Sequence, residues 1–155
     1  KPIVNPINGE EAYLCTLEKY FEICRESSMI CFLDLKGDWS YDNVKTVMEM
    51  GARIYNLDMI IPQSSDVENI KKVRELYPDQ RIMLTYGRLQ FEKGLDYTVC
   101  FEYGFDIDCD YTVANQKMIK EFRDKGLQFG VFTCNTKLSQ AYACYLGIDY
   151  MESDV

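Results

Sequence analysis

Apolar runs of strand length alternate with amphipathic stretches along almost the whole chain. Compact apolar segments at residues 29–36, 53–61, 81–86, 105–109 and 128–134 have the length and composition of buried strands. Between them, apolar residues recur three and four positions apart, which is the period of a helix packed on one face. Strands connected through helices run parallel, because each helix returns the chain to the same edge of the sheet. The sequence therefore predicts an α/β fold with about five parallel strands.

The predicted helices begin and end at typical signals. Ser65 and Glu68 predict a capping box at the start of one helix, and Pro78 stops it. Gly51 and Gly126 are interpreted as the C-terminal stops of two others. No linker interrupts the pattern, so residues 1–155 are predicted to form a single domain. The predicted helical segments are 14–24, 41–51, 65–77, 95–103, 112–126 and 138–145, followed by an extended segment at 148–151.

The charge and hydropathy of the chain exclude several classes of partner. A net charge of −8 argues against nucleic acid and against anionic membrane surfaces, which both favour basic patches. A phosphorylated small molecule remains compatible, because a metal ion can supply local positive charge. The longest strongly apolar run, Met29–Leu33, is far shorter than the ~18 residues that a membrane span needs.

The cysteines predict free thiols rather than a disulfide or zinc framework. There are seven, an odd number, and no pair has CxxC spacing. The chain contains no histidine, which excludes zinc sites of the Cys₂His₂ type. Buried thiols of this kind are typical of a reducing compartment, so we expect a cytoplasmic protein.

Periodicity alone leaves two architectures open. A doubly wound sheet of five strands would be complete at 155 residues. A barrel of eight β/α units usually needs about 250 residues, so this chain would form only part of one.

Several motifs, in order and at matching spacing, resemble the glycerophosphodiester phosphodiesterase family. The family has a Pro-Thr-Leu-Glu-Glu helix, a strand ending in Glu-Leu-Lys, an Ile-Ile-Gln-Ser-Phe-Asp segment, a helix ending in Pro-Asp, a Val-Trp-Thr-Val-Asn strand and a closing Gly-Val-Asp segment. The corresponding segments here are Thr16-Leu17-Glu18, Asp34-Leu35-Lys36, Ile60-Ile61 with Gln63-Ser64-Ser65-Asp66, Leu76-Tyr77-Pro78-Asp79, Val131-Phe132-Thr133-Cys134-Asn135 and Gly147-Ile148-Asp149. Asp34 replaces the usual Glu, Ser65 an aromatic and Phe132 a Trp.

The resemblance implies an incomplete TIM-type (β/α) barrel with its helices on the outside. The family's first strands, which carry His-Arg-Gly and Glu-x-Asp, would precede Lys1. The family hydrolyses glycerophosphodiesters in lipid metabolism with the help of a divalent metal, usually calcium or magnesium. Transferred to this sequence, the resemblance makes Asp34 a metal ligand and Lys36, Gln63 and Phe132 substrate-binding residues.

The residues themselves support some of these roles and offer simpler ones. Asp34 and Lys36 alternate with apolar neighbours, so both side chains point to one face at the carboxyl end of their strand, where barrel active sites lie. A carboxylate suits a hard cation, and an ammonium suits a phosphate oxygen. A plain salt bridge between the two residues is the simpler alternative.

Four further polar residues are weaker candidates. Asp58 is expected inside a strand, Ser64 at a strand end, and Asp108 and Asp110 as a carboxylate pair. The structural alternative is a plain strand-end residue for Asp58, a helix-capping residue for Ser64, and turn or capping residues for Asp108 and Asp110.

The sequence thus favours a phosphodiesterase-type chain that is inactive on its own. Phosphodiester hydrolysis in the family uses imidazole groups, and this chain has none. A non-catalytic binding or structural module with a barrel-derived fold is the alternative. Because an incomplete barrel exposes strand edges, we expect either a homodimer or a missing N-terminal segment that completes the barrel.

Overall fold

The central element of the computed structural model is a sheet of six parallel strands. Residues 2–4, 6–94 and 96–155 are described; Lys1, Asn5 and Leu95, the first residue of a predicted short helix, lie outside them. The strands of this sheet are β3 (Cys31–Asp34), β4 (Ile60–Ser64), β5 (Met83–Tyr86), β6 (Asp106–Asp110), β7 (Phe129–Phe132) and β8 (Tyr150–Met151), and a separate antiparallel pair, β1 (Ile3–Val4) and β2 (Glu11–Ala12), precedes them.

Helices connect the strands and pack on one side of the sheet. They are α1 (Leu17–Glu26), α2 (Tyr41–Ile54), α3 (Val67–Leu76), α4 (Arg88–Glu92), α5 (Val99–Tyr103), α6 (Gln116–Asp124) and α7 (Lys137–Leu146), and a 3₁₀ turn covers Leu57–Met59. Their apolar faces form one cluster with every second residue of the strands, for example Leu33, Leu84 and Val131. The alternate strand residues point to the opposite, inner face.

The strand order identifies the architecture. The six strands neighbour each other in the order in which they occur in the chain. A doubly wound sheet reverses its strand order at a switch point, whereas a β/α barrel does not. The predicted incomplete TIM-type barrel with outer helices is therefore confirmed, with six strands instead of about five. The sixth, β8, has only two residues, and the sequence showed it as no more than an extended segment.

The predicted boundary between α2 and β4 is wrong. Gly51 does not stop the helix, which continues to Ile54, and the strand begins at Ile60 instead of residue 53. A Cβ at Gly51 would lie 2.6 Å from Ile60 Cδ1 and 3.4 Å from Phe21 Cζ. The glycine thus allows helix and strand to approach closely, a packing function that a single sequence does not distinguish from a stop signal.

Two predicted helix starts are also wrong. Asp66, not Ser65, caps α3, and its carboxylate accepts a hydrogen bond of 2.9 Å from the Glu68 amide. Asn115, not Thr112, caps α6 by accepting from the Met118 amide. Asp and Asn are both preferred at helix N-termini. Each stands close in the sequence to another residue that could also cap the helix, Ser65 and Thr112 respectively.

The cysteines form no disulfides, and the described residues include no candidate membrane span. All seven cysteines are free; Cys15 and Cys144 are exposed, so the expectation of buried thiols holds for the other five. Within the described ranges, no helix combines the length and apolar character needed to cross a membrane.

The sheet curls until side chains of its first and last strands touch on the inner face. The Phe32 ring of β3 meets the Tyr150 ring of β8 edge-on, with ring centroids 5.4 Å apart. The Arg81 guanidinium lies 5.1 Å from the Tyr150 ring centroid and donates to Asp106 at 2.8 Å. Nevertheless, β3 and β8 are not paired and form the two free edges of the sheet. The fold is an open barrel whose interior is nearly closed by side chains.

A double-mutant cycle between Phe32 and Tyr150 tests this curl. We expect the variants Phe32→Leu and Tyr150→Leu to show a coupling of about 0.5–1.5 kcal/mol in the free energy of unfolding, the range for aromatic pairs in contact. Chemical denaturation of the four proteins measures it. The control cycle pairs Phe32→Leu with Tyr103→Leu, whose ring stacks on Phe105 instead. A Phe32–Tyr150 coupling as small as that of the control would contradict the curled sheet.

Candidate active-site cleft

A cleft of about 340 Å³ opens at the carboxyl edge of the sheet. This is the edge at which β/α barrels place their active sites, because the loops that follow the strands meet there. All four residues that the resemblance assigns to the site lie around this cleft. Its lining consists of Asp34, Lys36, Gln63, Ser65, Thr85, Gly87, Gln90, Phe132 and Glu152.

Asp34 and Lys36 lie together at the end of β3 and form an ion pair. The Lys36 Nζ–Asp34 Oδ2 distance is 2.6 Å, with 83% of the Lys36 side chain exposed and 34% of the Asp34 side chain. Asp34 therefore faces the cleft as the alternation of the strand predicts. The salt bridge considered as the simpler alternative is present, so any ligand of either group has to compete with it.

Gln63 and Phe132 occupy the inner face of β4 and β7. Gln63 is 7% exposed, and Phe132 is partly exposed to the cleft. Ser64, the neighbour of Gln63, points away from the cleft: its hydroxyl donates to the Leu35 carbonyl at 2.7 Å and accepts from the Asp66 amide. Ser64 thus ties β4 to the segment after β3 and does not line the site.

The structure assigns Asp58 and Asp110 to structural positions. Asp58 is exposed in the 3₁₀ turn before β4, at the opposite end of the strand from the cleft. The prediction that Asp58 lies inside a strand is wrong, because α2 extends further than its sequence indicated. Asp110 accepts hydrogen bonds from the amide and hydroxyl of Thr112, at 2.9 and 2.7 Å, which is the turn role given as its alternative.

Glu152 and Thr85 line the cleft, but the sequence did not single them out. Glu152 follows β8, the shortest strand of the sheet, and lies two residues after Tyr150. Residues two apart share a face, so the inward direction of Glu152 follows only from the position of Tyr150 on the inner face. Alternation along β5 would have placed Thr85 and Met83 on one face, but a threonine in a strand carries no functional signal by itself.

Glu152 lies in an electrostatic environment that opposes its ionisation. Partial burial raises the pKa of its carboxyl group, and the nearby Asp34 carboxylate raises it further. A hydrogen bond with Gln63 and the positive charge of Lys36 act in the opposite direction. The end of β8 and the end of β3 therefore interact across the mouth of the open barrel.

Asp108 is buried beneath the cleft without a partner. It is 1% exposed, and both of its carboxylate oxygens lack hydrogen-bond donors. Burial, followed by repulsion from Glu152, raises the pKa of Asp108 to about 8. The carboxyl group lies against Gly130, where a Cβ would be 2.8 Å from Asp108 Oδ1. Asp108 and Asp110 do not act as a carboxylate pair. Asp108 is buried without a partner, whereas Asp110 is bonded to Thr112 in the turn that follows the strand.

Several solved structures with a similar fold are phosphodiesterases. A glycerophosphodiester phosphodiesterase from Parabacteroides distasonis matches 96% of this chain with a TM-score of 0.77 and 20% identity. A phosphodiesterase from Oleispira antarctica, in complex with the product sn-glycerol-3-phosphate, matches 94% with a TM-score of 0.72 and 15% identity. The chain has the fold of the glycerophosphodiester phosphodiesterases. The resemblance deduced from the sequence motifs is confirmed at this level.

The match covers only part of each of these phosphodiesterases. The chain spans 62% of the Parabacteroides distasonis protein and 59% of the Oleispira antarctica protein. It spans 52% of a third protein, from Silicibacter pomeroyi, assigned as a glycerophosphoryl diester phosphodiesterase, with a TM-score of 0.79 and 16% identity. No family model matches the sequence, and no curated protein does.

The residues of the cleft do not by themselves fit a divalent metal. Within residues 2–4, 6–94 and 96–155, no group of three or more His, Cys, Asp or Glu side chains is arranged to hold one. Calcium prefers six to eight oxygen ligands, and magnesium a complete octahedron. Asp34 and Glu152 supply two carboxylates, and the Lys36 ammonium, 2.6 Å from Asp34, opposes a further positive charge beside them.

The buried Asp108 predicts that the protein loses stability as the pH rises. Because its pKa is raised from 3.8 to about 8, the folded state keeps a proton that the unfolded state releases above pH 4. The free energy of unfolding should therefore fall between pH 4 and 8, by up to about 1.4 kcal/mol per pH unit. Urea denaturation across this range measures the slope.

The isosteric variant Asp108→Asn should flatten that slope and be the more stable protein at pH 8. The control Asp110→Asn, on the same strand, should keep the slope of the unmodified chain. A slope that survives in Asp108→Asn would show that another group causes it.

Proposed function

We propose that the cleft binds the phosphate group of a glycerophosphodiester or of its glycerol phosphate product. The observation that carries this proposal is the convergence of Asp34, Lys36, Gln63 and Phe132 on one cleft at the carboxyl edge. These residues come from β3, β4 and β7 and are far apart in sequence, so their proximity is a property of the fold. Barrels of this type use the same edge for their ligands.

Lys36 is the residue with the chemistry for a phosphate oxygen. It is the cationic side chain that lines the cleft, and it is exposed enough to leave Asp34 and reach a ligand. The Gln63 and Gln90 amides and the Ser65 hydroxyl can add hydrogen bonds to the remaining oxygens. The Phe132 ring offers an apolar surface to the carbon chain of the ligand.

Hydrolysis requires groups that this chain does not contain. The resemblance implies imidazole acid/base catalysis, and there is no histidine among the 155 residues. We propose that the chain by itself binds the phosphodiester without cleaving it, and that Asp34 binds calcium or magnesium only weakly. The alternative, a non-catalytic binding module derived from the barrel, makes the same prediction for the isolated chain. We propose that the natural ligands are phosphodiesters derived from lipids and that the protein meets them in the cytoplasm.

Substitution of Lys36 tests the phosphate-binding role. We expect sn-glycerol-3-phosphate to bind the unmodified chain and to bind Lys36→Ala about tenfold more weakly, because a charge-assisted hydrogen bond is lost. Isothermal titration calorimetry measures both affinities. The control Lys45→Ala removes an exposed lysine of α2 that pairs with Glu49, and it should bind like the unmodified chain.

The same proteins serve to test for turnover. Glycerophosphocholine and bis(p-nitrophenyl) phosphate, each with calcium or magnesium, should be hydrolysed no faster than in buffer. Turnover that disappears in Asp34→Ala would overturn the proposed inactivity. Equal binding by the Lys36 and Lys45 variants would overturn the phosphate site itself.

We also propose that the open edges of the sheet are covered, either by a second copy of the chain or by an additional segment that completes the barrel. β3 and β8 leave backbone groups unpaired, and such edges associate readily. Apolar side chains flank both edges: Met29 is 59% exposed and Met151 42%.

Light scattering at increasing concentration tests this assembly. We expect a dimer that weakens in Met151→Lys, since a charge on the edge strand opposes pairing. The control Leu138→Lys changes an equally apolar, 81% exposed residue of α7 and should leave the assembly unchanged. A stable monomer at high concentration would contradict self-association.

A further inference from the structure

The cleft contains more negative than positive charge. Among the residues that line it, Asp34 and Glu152 are acidic and Lys36 is basic. Lys36 forms its ion pair with Asp34, whereas Glu152 forms none with a cationic side chain of the described residues. A phosphodiester carries one negative charge, and to bind Lys36 it has to separate this lysine from Asp34. A bound phosphate therefore adds to the excess of negative charge and leaves both carboxylates without a partner.

Glu152 and Phe132 stand next to each other on the edge of the opening. The Glu152 amide donates to the Val131 carbonyl at 2.9 Å, and the Cys134 amide donates to the Glu152 carbonyl at 2.8 Å. These two hydrogen bonds place Glu152 opposite Phe132 on the neighbouring strand, and both residues line the cleft. A carboxylate and an aromatic ring attract the same kind of group, because both stabilise an organic cation.

The second carboxylate of the cleft acts on the first. Asp34 lies opposite Gln63 in the β3–β4 ladder, and the Gln63 side chain forms a hydrogen bond with the Glu152 carboxyl group. The Asp34 carboxylate raises the pKa of Glu152, as expected for two negative charges on the same side of the barrel. A positive charge bound at Glu152 would relieve this repulsion.

Gln63 provides an independent sign that the cleft lacks hydrogen-bond donors. It lines the cleft and is 7% exposed, yet its Oε1 atom has no hydrogen-bond partner. Buried polar atoms are nearly always paired in proteins. A phosphate has only acceptor oxygens and cannot supply the missing donor, whereas a protonated amine can.

We propose that the cleft selects glycerophosphodiesters whose alcohol carries an ammonium group, as ethanolamine and choline do, with the phosphate at Lys36 and the ammonium group at Glu152 and Phe132. This inference rests on the phosphate site proposed above and names the other half of its ligand. Such a diester is zwitterionic and adds no net charge to the cleft, whereas a diester of a neutral alcohol adds one negative charge. Because only a short carbon chain separates the ammonium group from the phosphate, both can lie in one cleft of about 340 Å³. Complementarity of charge would thus provide specificity between ligands that share the glycerol phosphate.

The test compares glycerophosphocholine with glycerophosphoglycerol, which differ in the charge of the alcohol. Isothermal titration calorimetry measures both affinities at neutral pH and at one low ionic strength, because salt screens exposed charges. We expect the unmodified chain to bind glycerophosphocholine about tenfold more tightly than glycerophosphoglycerol.

Variants of the cleft assign this preference to its residues. Glu152→Gln keeps the shape of the side chain and removes its charge, so it should weaken glycerophosphocholine without weakening glycerophosphoglycerol, and the preference should disappear. Phe132→Leu should reduce the preference in part, since the aromatic ring is lost. Lys36→Ala should weaken both diesters about tenfold and leave the preference unchanged. The control Glu49→Gln removes an exposed carboxylate of α2 that pairs with Lys45, and it should bind both diesters like the unmodified chain.

The outcomes distinguish this inference from the phosphate site on which it rests. If the unmodified chain binds both diesters equally and Lys36→Ala weakens both, the phosphate site holds and the proposed selectivity is wrong. A preference that persists in Glu152→Gln also overturns the inference, and an equal loss of both ligands in that variant would give Glu152 a merely structural role. If neither diester binds the unmodified chain, the phosphate site itself is wrong and the inference falls with it.

Discussion

The contact between Phe32 and Tyr150 links the two ends of the sheet, and the interior depends on it. These rings belong to the first and last strands of the parallel sheet, which share no backbone hydrogen bond. A flat sheet of six strands would leave its inner face open to water. The curl instead buries Asp108 and brings Glu152 towards Asp34 and Lys36. The cleft and the buried polar group beneath it are thus two consequences of one curvature.

Polar residues occupy much of the inner face, whereas apolar residues dominate the outer one. The outer face packs against the helices in a continuous core that needs no hydrogen bonds. The inner face carries Gln63, Thr85, Asp106 and Asp108. Asp106 forms an ion pair with Arg81, whereas each of the other three has a buried oxygen without a hydrogen-bond partner. Since a parallel sheet can bury apolar residues on both of its faces, the fold itself does not require this inner polarity.

The electrostatics of the cleft depend on which charges are paired. Lys36 forms a salt bridge with Asp34 at the surface, whereas Glu152 and Asp108 form none with a cationic side chain of the described residues, and the pKa values of both are raised. A phosphate ligand would draw Lys36 away from Asp34 and thereby increase the negative charge at the mouth. The proposed phosphate site would therefore be linked to the buried carboxyl group through the acidic residues between them.

The sequence by itself determined the parallel α/β class, the barrel resemblance and the four residues that meet at the cleft. These follow from local signals: apolar periodicity, alternation along a strand, and short motifs whose order is preserved. The sequence did not reveal the close approach of Gly51 to Ile60, the pairing of the short segment β8 as an edge strand of the sheet, or the positions of Glu152 and Thr85. Only the tertiary structure decided that Asp108 is buried and unpaired while Asp110 caps a turn, because burial depends on the curvature of the sheet, which no local pattern encodes.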